Sequence, residues 1–511
     1  VVIVPNSCVS NKSGTSQMSF IINDSGSRII YVDDEVNLGK IKNVWREMPR
    51  LEKVIVMQND SGDYDPDILS LSQLRELGAR FLYLHPETYD ERWQSVGLHD
   101  RATIVYSSGN TGRRRGVVHT HNSINAGLLR DLREAPPLSL NDVFLSVFSL
   151  AHIYERQLSQ MLALQVGATI AYAEKPSSIF EDIQLFNPTV FSTVPTVYEQ
   201  VFMKVRENAS VSPEGKAAFD SAIETALEVT RAWEDEDGCI DITEGVDRLE
   251  CLPPELKERF LASDHIFGQF RAAMGKRYRF SFSGARALSP KLCRVFIAAG
   301  ILIIEGYGLN ETAATVTSTY MTKKVLPGSV GPMMVEYQGK ILHNGEFALR
   351  SQTLFKEYWN DSVFTEEAFT PDGFFKTGDL VELLPNGYLR LVGRTSDLLV
   401  LKNGQRVIQT KVENLFSLSN HISQICVIGH GRQYISALIV PNFDVFIRLF
   451  DKEGVHYDKT ALQFSIKDSV YTCIKVGTDF IRQERLRSLT RRFSWPISNF
   501  WITSLSSGML L

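Results

Sequence analysis

Ala102-Thr103-Ile104-Val105-Tyr106 runs directly into Ser107-Ser108-Gly109-Asn110-Thr111-Gly112-Arg113-Arg114-Arg115-Gly116-Val117. The apolar, partly β-branched run predicts a strand, and the segment after it predicts a tight turn. Three glycines within eight residues let the backbone close around an anion. Two serines, a threonine, an asparagine and three arginines supply donors and positive charge. The spacing is neither that of the common phosphate loop nor that of the dinucleotide fingerprint. Two readings stay open on these residues alone: a polyphosphate cradle, or a glycine-rich basic hairpin with solvated arginines.

Similar short strand-like runs recur outward from this one, at Arg28 to Val32, Lys53 to Met57, Thr169 to Ala173, Val190 to Val194 and Ile301 to Glu305. Amphipathic stretches separate them, and the alternation predicts an α/β fold with layered, parallel sheets. Phe219, Ile223, Leu227, Thr230 and Trp233 recur at helical spacing, which predicts a core-facing helix. A second texture begins near Gly373, where Asp372-Gly373, Asn386-Gly387 and Asn403-Gly404 punctuate short strands. Leu380 to Leu384 and Tyr388 to Val392 read as a hairpin, and the mixture that follows reads as a small α+β domain.

Length and composition bound the function. At 511 residues the chain exceeds one ordinary core, so two or more domains are expected. Its 44% hydrophobic and 22% charged content is that of a globular protein, and a net charge of -5 provides no basic field for nucleic acid. Small molecules are the expected partners. The longest apolar candidate, Ala298 to Ile304, is far short of the ~18 residues of a membrane span. Val1 to Pro5 lacks an initiator Met and a basic flank, so it reads as a strand cut open, and the chain is expected to begin mid-domain. Six cysteines without a CxxC pair indicate neither zinc nor a disulfide framework, so a cytoplasmic setting is expected. Peripheral membrane contact and oligomeric state are left open.

Three further segments carry chemistry. Glu305-Gly306-Tyr307-Gly308-Leu309-Asn310-Glu311-Thr312 follows an apolar strand, where α/β sheets gather ligands. Tyr307 offers a ring for base stacking and Glu311 a hard oxygen for Mg²⁺; an ordinary turn with Tyr307 in the core is the other reading. Lys376-Thr377-Gly378-Asp379 ends in a carboxylate suited to a ribose diol. Fifteen residues later, Gly393-Arg394-Thr395-Ser396-Asp397 presents a guanidinium suited to ribose or phosphate. Either segment alone could be a turn with a surface ion pair.

In this order the four segments resemble those of the adenylate-forming (AMP-binding) superfamily, and nearly the whole chain is covered by the resemblance. Leu150-Ala151-His152-Ile153-Tyr154-Glu155-Arg156, Val194-Pro195-Thr196-Val197-Tyr198-Glu199 and the helical insert after Arg206 are similar to the long-chain fatty acid CoA ligases, the AMP-forming acyl-CoA synthetases. The resemblance implies a large N-terminal domain over 1–393, of layered α/β sheets with a small β-barrel-like part. A small mobile α+β C-terminal domain over 394–511 would follow. It implies ATP, Mg²⁺ and coenzyme A as cofactor and co-substrates and a fatty acid as substrate. Ser107, Ser108, Gly109, Thr111, Gly112 and Arg115 would hold the phosphates, with Arg115 catalytic. Gly284, Ala285, Tyr307 and Gly308 would take the adenine, Asn310 the α-phosphate and Glu311 the metal. Asp379 would accept from the ribose, Arg394 would lie beside it, His152 would stand near the acyl site, and Asp397 would be the hinge.

The chain also departs from the family pattern. Asn110, Arg114 and Arg115 stand where the family has Thr, Pro and Lys, and arginine keeps the charge without the compact ammonium. Asn310 replaces the usual Thr beside Glu311, with an amide that can still donate. The family's catalytic lysine lies near the C-terminus, and no lysine follows Lys475. Crippled adenylation is therefore one expectation, with a degenerate binder of nucleotide or acyl ligand as an alternative. A ligase for another carboxylic acid is a further alternative.

Overall fold

The computed structural model describes residues 13–58, 65–106, 114–313, 315–416, 419 and 421–453, with the short strands Asn6–Ser7 and Ile502–Thr503. It divides into two compact units. The first comprises Val1–Leu342, Phe347–Thr377 and Leu383–Arg390; the second comprises His343–Glu346, Gly378–Glu382 and Leu391–Leu511.

The first unit is built around a six-stranded sheet. Its order is Thr315–Ser318, Ile303–Gly308, Phe280–Ser283, Val190–Thr193, Val143–Ser146 and Thr169–Tyr172. All neighbours run parallel except Thr315–Ser318, which is antiparallel. Every residue of Val190–Thr193 and Phe280–Ser283 is buried, as in a sheet covered on both faces. Phe144, Leu162, Val190 and Phe280 lie within one core cluster against it. A smaller parallel sheet, Ile29–Val32, Lys53–Val56 and Ile68–Ser70, packs with the helices Thr15–Ser25 and Glu35–Val44 through Met18, Leu38, Ile41 and Val54. The strands expected from Arg28, Lys53, Thr169, Val190 and Ile301 are thus present with parallel neighbours, whereas the run from Ala102 also has an antiparallel partner, Gly116–Thr120.

The helical spacing from Phe219 onward produces a helix over Pro213–Ala232, capped by Ser212 accepting from the Gly215 N–H at 3.0 Å. Phe219, Ile223 and Thr230 are buried on it, joined by Ala222, Ala226 and Val229. Phe219 stacks on Phe270, and Phe270 meets Phe296 edge-on, so this face is core.

Two boundaries differ from the sequence reading, for one physical reason. The strand expected to end at Glu305 continues to Gly308, because Thr315–Ser318 folds back antiparallel against it, with a bulge between Tyr307 and Gly308. Similarly, Lys376 to Asp379 lies inside the strand Phe375–Leu383. In both, a neighbouring strand from elsewhere in the chain takes up the backbone groups that a loop would have left to water. The turn at Pro385 to Gly387 is as read: the Gly387 N–H donates to the Leu384 carbonyl, and Gly387 has φ 82°.

The second unit contains the hairpin Leu398–Val400 with Arg406–Ile408, and the antiparallel pair Ile422–Ile428 with Ser436–Pro441. Leu399, Val427 and Ala437 form its core with Val407, Val412 and Ile439. The helices Gln409–Glu413 and Phe443–Glu453 and the short strand Ile502–Thr503, parallel to Ser436–Pro441, belong to the same unit. Among the described residues of the chain, no helix is long and apolar enough to cross a membrane.

Candidate active site

Arg101–Tyr106 and Gly116–Thr120 pair antiparallel, with Tyr106 opposite Gly116. Ser107, Ser108, Gly109, Asn110, Thr111, Gly112 and Arg113 lie outside the described residues. Their base is tightly packed. A Cβ on Gly116 would stand 2.7 Å from Ile104 Cγ2 and 3.1 Å from Trp359 Cβ, so any larger residue would force these neighbours to shift. The Trp359 N–H donates to the Gly116 carbonyl at 2.7 Å, and the Tyr106 hydroxyl donates to Asp24 Oδ2 at 2.6 Å. Arg114 donates to Gln17 Oε1 at 3.0 Å. The helix His121–Glu134 starts only after the second strand, on a capping box of Thr120 and Ser123.

Arg115 and Glu311 belong to one connected group. Arg115 Nε is 3.7 Å from Asp361 Oδ2, and the guanidinium lies 3.4 Å over the Phe364 ring. The Phe364 ring centroid is 5.0 Å from that of Tyr358, and the Tyr358 hydroxyl donates to Glu311 Oε1 at 2.9 Å. Tyr358 is 7% exposed; burial first, then the Glu311 charge, holds its phenol well above the usual range, so it remains a donor. Glu311 and Asn310 sit on the single turn Asn310–Thr312. The Phe355 N–H donates to the Glu311 carbonyl, and His119 Nε2 lies 2.6 Å from the Asn310 carbonyl oxygen. Sequence reasoning missed His119, Tyr358 and Asp361. A histidine inside the apolar strand Gly116–Thr120 was the available signal.

Gly284, Ala285 and Tyr307 lie at the carboxyl ends of the central parallel strands. The Gly284 N–H donates to the Thr193 carbonyl, while a Cβ on Gly284 would stand 3.0 Å from Tyr154 Cε2. Tyr154 is fixed by its hydroxyl, which donates to the Thr193 carbonyl at 2.9 Å. Ala285 adopts φ 65°, a left-handed conformation costing about 1–2 kcal/mol without glycine. Tyr307 is 6% exposed, with its ring 6.4 Å from Phe347, and Gly308 beside it is exposed. The region beyond the strand ends is where open α/β sheets receive ligands.

His152 precedes the short helix Ile153–Glu155, which continues as a wide π turn over Arg156–Met161. Its pKa is held below the ordinary value by desolvation first and by Arg114 second, which favours the neutral ring. Next along the helix, Glu155 is fully buried; it accepts from Ser146 Oγ and the Val147 N–H, and burial raises its pKa to about 7. In the second unit, Arg394 Nε lies 3.2 Å from Asp379 Oδ1, so these two expected ribose residues are an ion pair. Asp379 is 5% exposed. Asp397 lies on the turn Thr395–Asp397, where Ser396 Oγ donates to its carboxylate.

The chemistry of the donors around Glu311 suits Mg²⁺. That ion is usually bound by one or two carboxylates together with nucleotide phosphates and water. Among the described residues no group of three His, Cys, Asp or Glu forms a protein cage.

The fold is an adenylate-forming architecture. The chain belongs to the AMP-binding enzyme family: that family's model matches residues 4–359, and the AMP-binding enzyme C-terminal domain matches 396–456. Long-chain-fatty-acid–CoA ligase FadD15 of Mycobacterium bovis is 28% identical over 437 residues, 85% of this chain and 68% of the relative. The peroxisomal long chain acyl-CoA synthetase 6 of Arabidopsis thaliana is 26% identical over 467 residues, 86% of this chain and 62% of the relative. The chain therefore spans about two thirds of the length of these relatives. Among solved structures, anthranilate CoA ligase AuaEII in complex with anthranoyl-AMP superposes with a TM-score of 0.64 at 18% identity, covering 97% of this chain and 78% of that one. The A domain of carboxylic acid reductase from Segniliparus rugosus, in complex with AMP and a co-purified carboxylic acid, gives 0.63 at 19% identity, covering 97% and 72%.

Proposed function

We propose that this chain uses ATP to activate a long-chain fatty acid as an acyl adenylate and then transfers the acyl group to coenzyme A. The single observation that carries the reading is the Glu311 turn, held to the strand after the basic loop through Tyr358 and His119. It joins a hard carboxylate to the segment expected to hold a polyphosphate. The relatives named as long-chain fatty acid CoA ligases support the choice of acid.

In this reading the fatty acid carboxylate attacks the α-phosphorus, pyrophosphate leaves with the bond electrons, and the CoA thiol later displaces AMP. Little covalent work falls to the protein, so orientation and charge placement dominate. Bound Mg²⁺, held by Glu311, would supply neutralisation of the phosphate charge. Ser107, Ser108, Gly109, Thr111, Gly112 and Arg115 hold the leaving phosphates. Gly284, Ala285, Tyr307 and Gly308 take the adenine, and the Asn310 amide donates to an α-phosphate oxygen. Asp379 accepts from the ribose hydroxyls, with Arg394 beside it. His152 faces the acyl carboxylate as a neutral ring, and Asp397 acts as the hinge between half-reactions.

The test is release of AMP and pyrophosphate by the purified chain given ATP, Mg²⁺, CoA and palmitate. Acid-dependent release with matching acyl-CoA is expected, falling when octanoate or benzoate replaces palmitate. Equal rates with benzoate would overturn the long-chain assignment. An absence of both release and ATP binding would overturn the reading as a whole.

A further inference from the structure

His119 is fully buried in the strand Gly116–Thr120. An apolar residue would fill that space without the cost of desolvating an imidazole. Its partners explain the polarity. The Asn310 carbonyl, 2.6 Å from Nε2, can only accept, so Nε2 carries the proton. Nδ1 is then unprotonated and lies 3.1 Å from the Ser123 hydroxyl oxygen. Burial first, with Arg156 nearby, lowers the pKa to about 4, so the ring stays neutral and keeps this tautomer.

The neighbouring residues of the same strand hold the other end of the Glu311 turn. Val118 pairs with Glu357 and Val117 with Tyr358, and the Lys356 N–H donates to the Val118 carbonyl. That pairing places the Tyr358 hydroxyl on Glu311 Oε1, while the Phe355 N–H holds the Glu311 carbonyl at 2.8 Å. One strand therefore sets the turn through its ladder and, independently, through one side chain. Supporting partners of this kind fix how a ligating carboxylate is presented.

We propose that His119 is a positioning residue, which clamps the Asn310 carbonyl so that Asn310 and Glu311 meet the magnesium–nucleotide together. This rests on the ATP-dependent reading above. His119 acts through the turn and makes no contact with substrate.

The test is ATP binding by calorimetry in Mg²⁺ and in EDTA, for the full chain and its variants. His119→Leu should lose about tenfold or more of the affinity that Mg²⁺ adds, with binding in EDTA unchanged. His119→Gln, whose amide can donate to the same carbonyl, should recover most of that loss. A folded His119→Leu that keeps the full Mg²⁺ gain overturns the proposal, as does His119→Gln behaving like His119→Leu. Should His119→Leu fail to fold, the comparison of wild type with His119→Gln and the ¹⁵N-histidine spectrum decide. The resonance lost in His119→Gln should report an Nε2-protonated ring, and an Nδ1-protonated ring overturns the clamp. A wild-type chain that binds no ATP in either buffer overturns the functional reading itself, and this proposal falls with it. Binding that is intact but indifferent to His119 overturns this proposal alone.

Discussion

Tyr358→Phe removes one oxygen atom and asks what it does for Glu311. The phenylalanine ring keeps its neighbours, Phe355 at 4.6 Å and Phe364 at 5.0 Å between centroids, so the aromatic packing and the Glu357–Tyr358 ladder survive. What disappears is a 2.9 Å hydrogen bond to a carboxylate. Such bonds to charged groups contribute roughly 1.5–3 kcal/mol. Glu311 is only partly buried, so water can replace some of this, and about 1.5–2 kcal/mol is the expected loss. At 1.4 kcal/mol per factor of ten, that predicts roughly a 10- to 30-fold rise in the Mg²⁺ concentration needed for half-maximal ATP binding. The assay is a Mg²⁺ titration of ATP affinity, with a urea unfolding curve on the same samples. An unchanged Mg²⁺ midpoint would refute the argument that this hydroxyl orients a metal-binding carboxylate, even if the urea midpoint fell.

Gly284→Ala sets a methyl group 3.0 Å from Tyr154 Cε2, against a ring tethered to the Thr193 carbonyl; a loss of about 1–3 kcal/mol in urea unfolding is expected, and an unchanged midpoint would show that the ring yields. Gly331→Ala is harsher, because φ is +83° and the added carbon would lie 2.3 Å from the backbone carbonyl carbon of Ser318. Roughly 3 kcal/mol or more should be lost, read as a collapse of soluble folded yield. The buried Glu305 carboxyl, with its pKa raised to about 8 by burial, contributes stability that is full below the unfolded value near 4.3 and lost as pH rises through 8. Over that window the unfolding free energy should fall by up to about 1.4 kcal/mol per pH unit, and Glu305→Gln should flatten the slope. Glu155 and Asp131, each raised to about 7 mainly by burial, add slope of the same sign, so some must remain. A Glu305→Gln chain with the wild-type slope would show that this carboxyl titrates normally.

The strands were legible where one kind of signal sufficed. Val190 to Val194 and Thr169 to Ala173 are apolar, β-branched and flanked by turns, and they form strands within a residue or two of those limits. Strand ends that depend on a returning partner were not legible. Tyr307 reads as a loop residue after an apolar run, yet it pairs with Thr317 because a segment ten residues later folds back. The site shows the same division. Glu311, Arg115 and Asp379 carry charge in recognisable segments, so their candidacy needed no coordinates. Tyr358 carried no signal of its own, and the only signal for His119 was its place in the short apolar run after the basic loop.

The sequence by itself determined the family, the alternation that builds parallel sheets, and which charged groups are proposed to meet a nucleotide. These are properties of residue type and order, and they survive without knowledge of what lies across a gap of many residues. Only the tertiary structure decided how those groups are held. A carboxylate's orientation is set by neighbours that are distant in sequence: Tyr358 reaches Glu311 across 47 positions, and His119 reaches Asn310 across 191. Hydrogen bonds act over about 3 Å and ignore chain separation, so no local pattern records them.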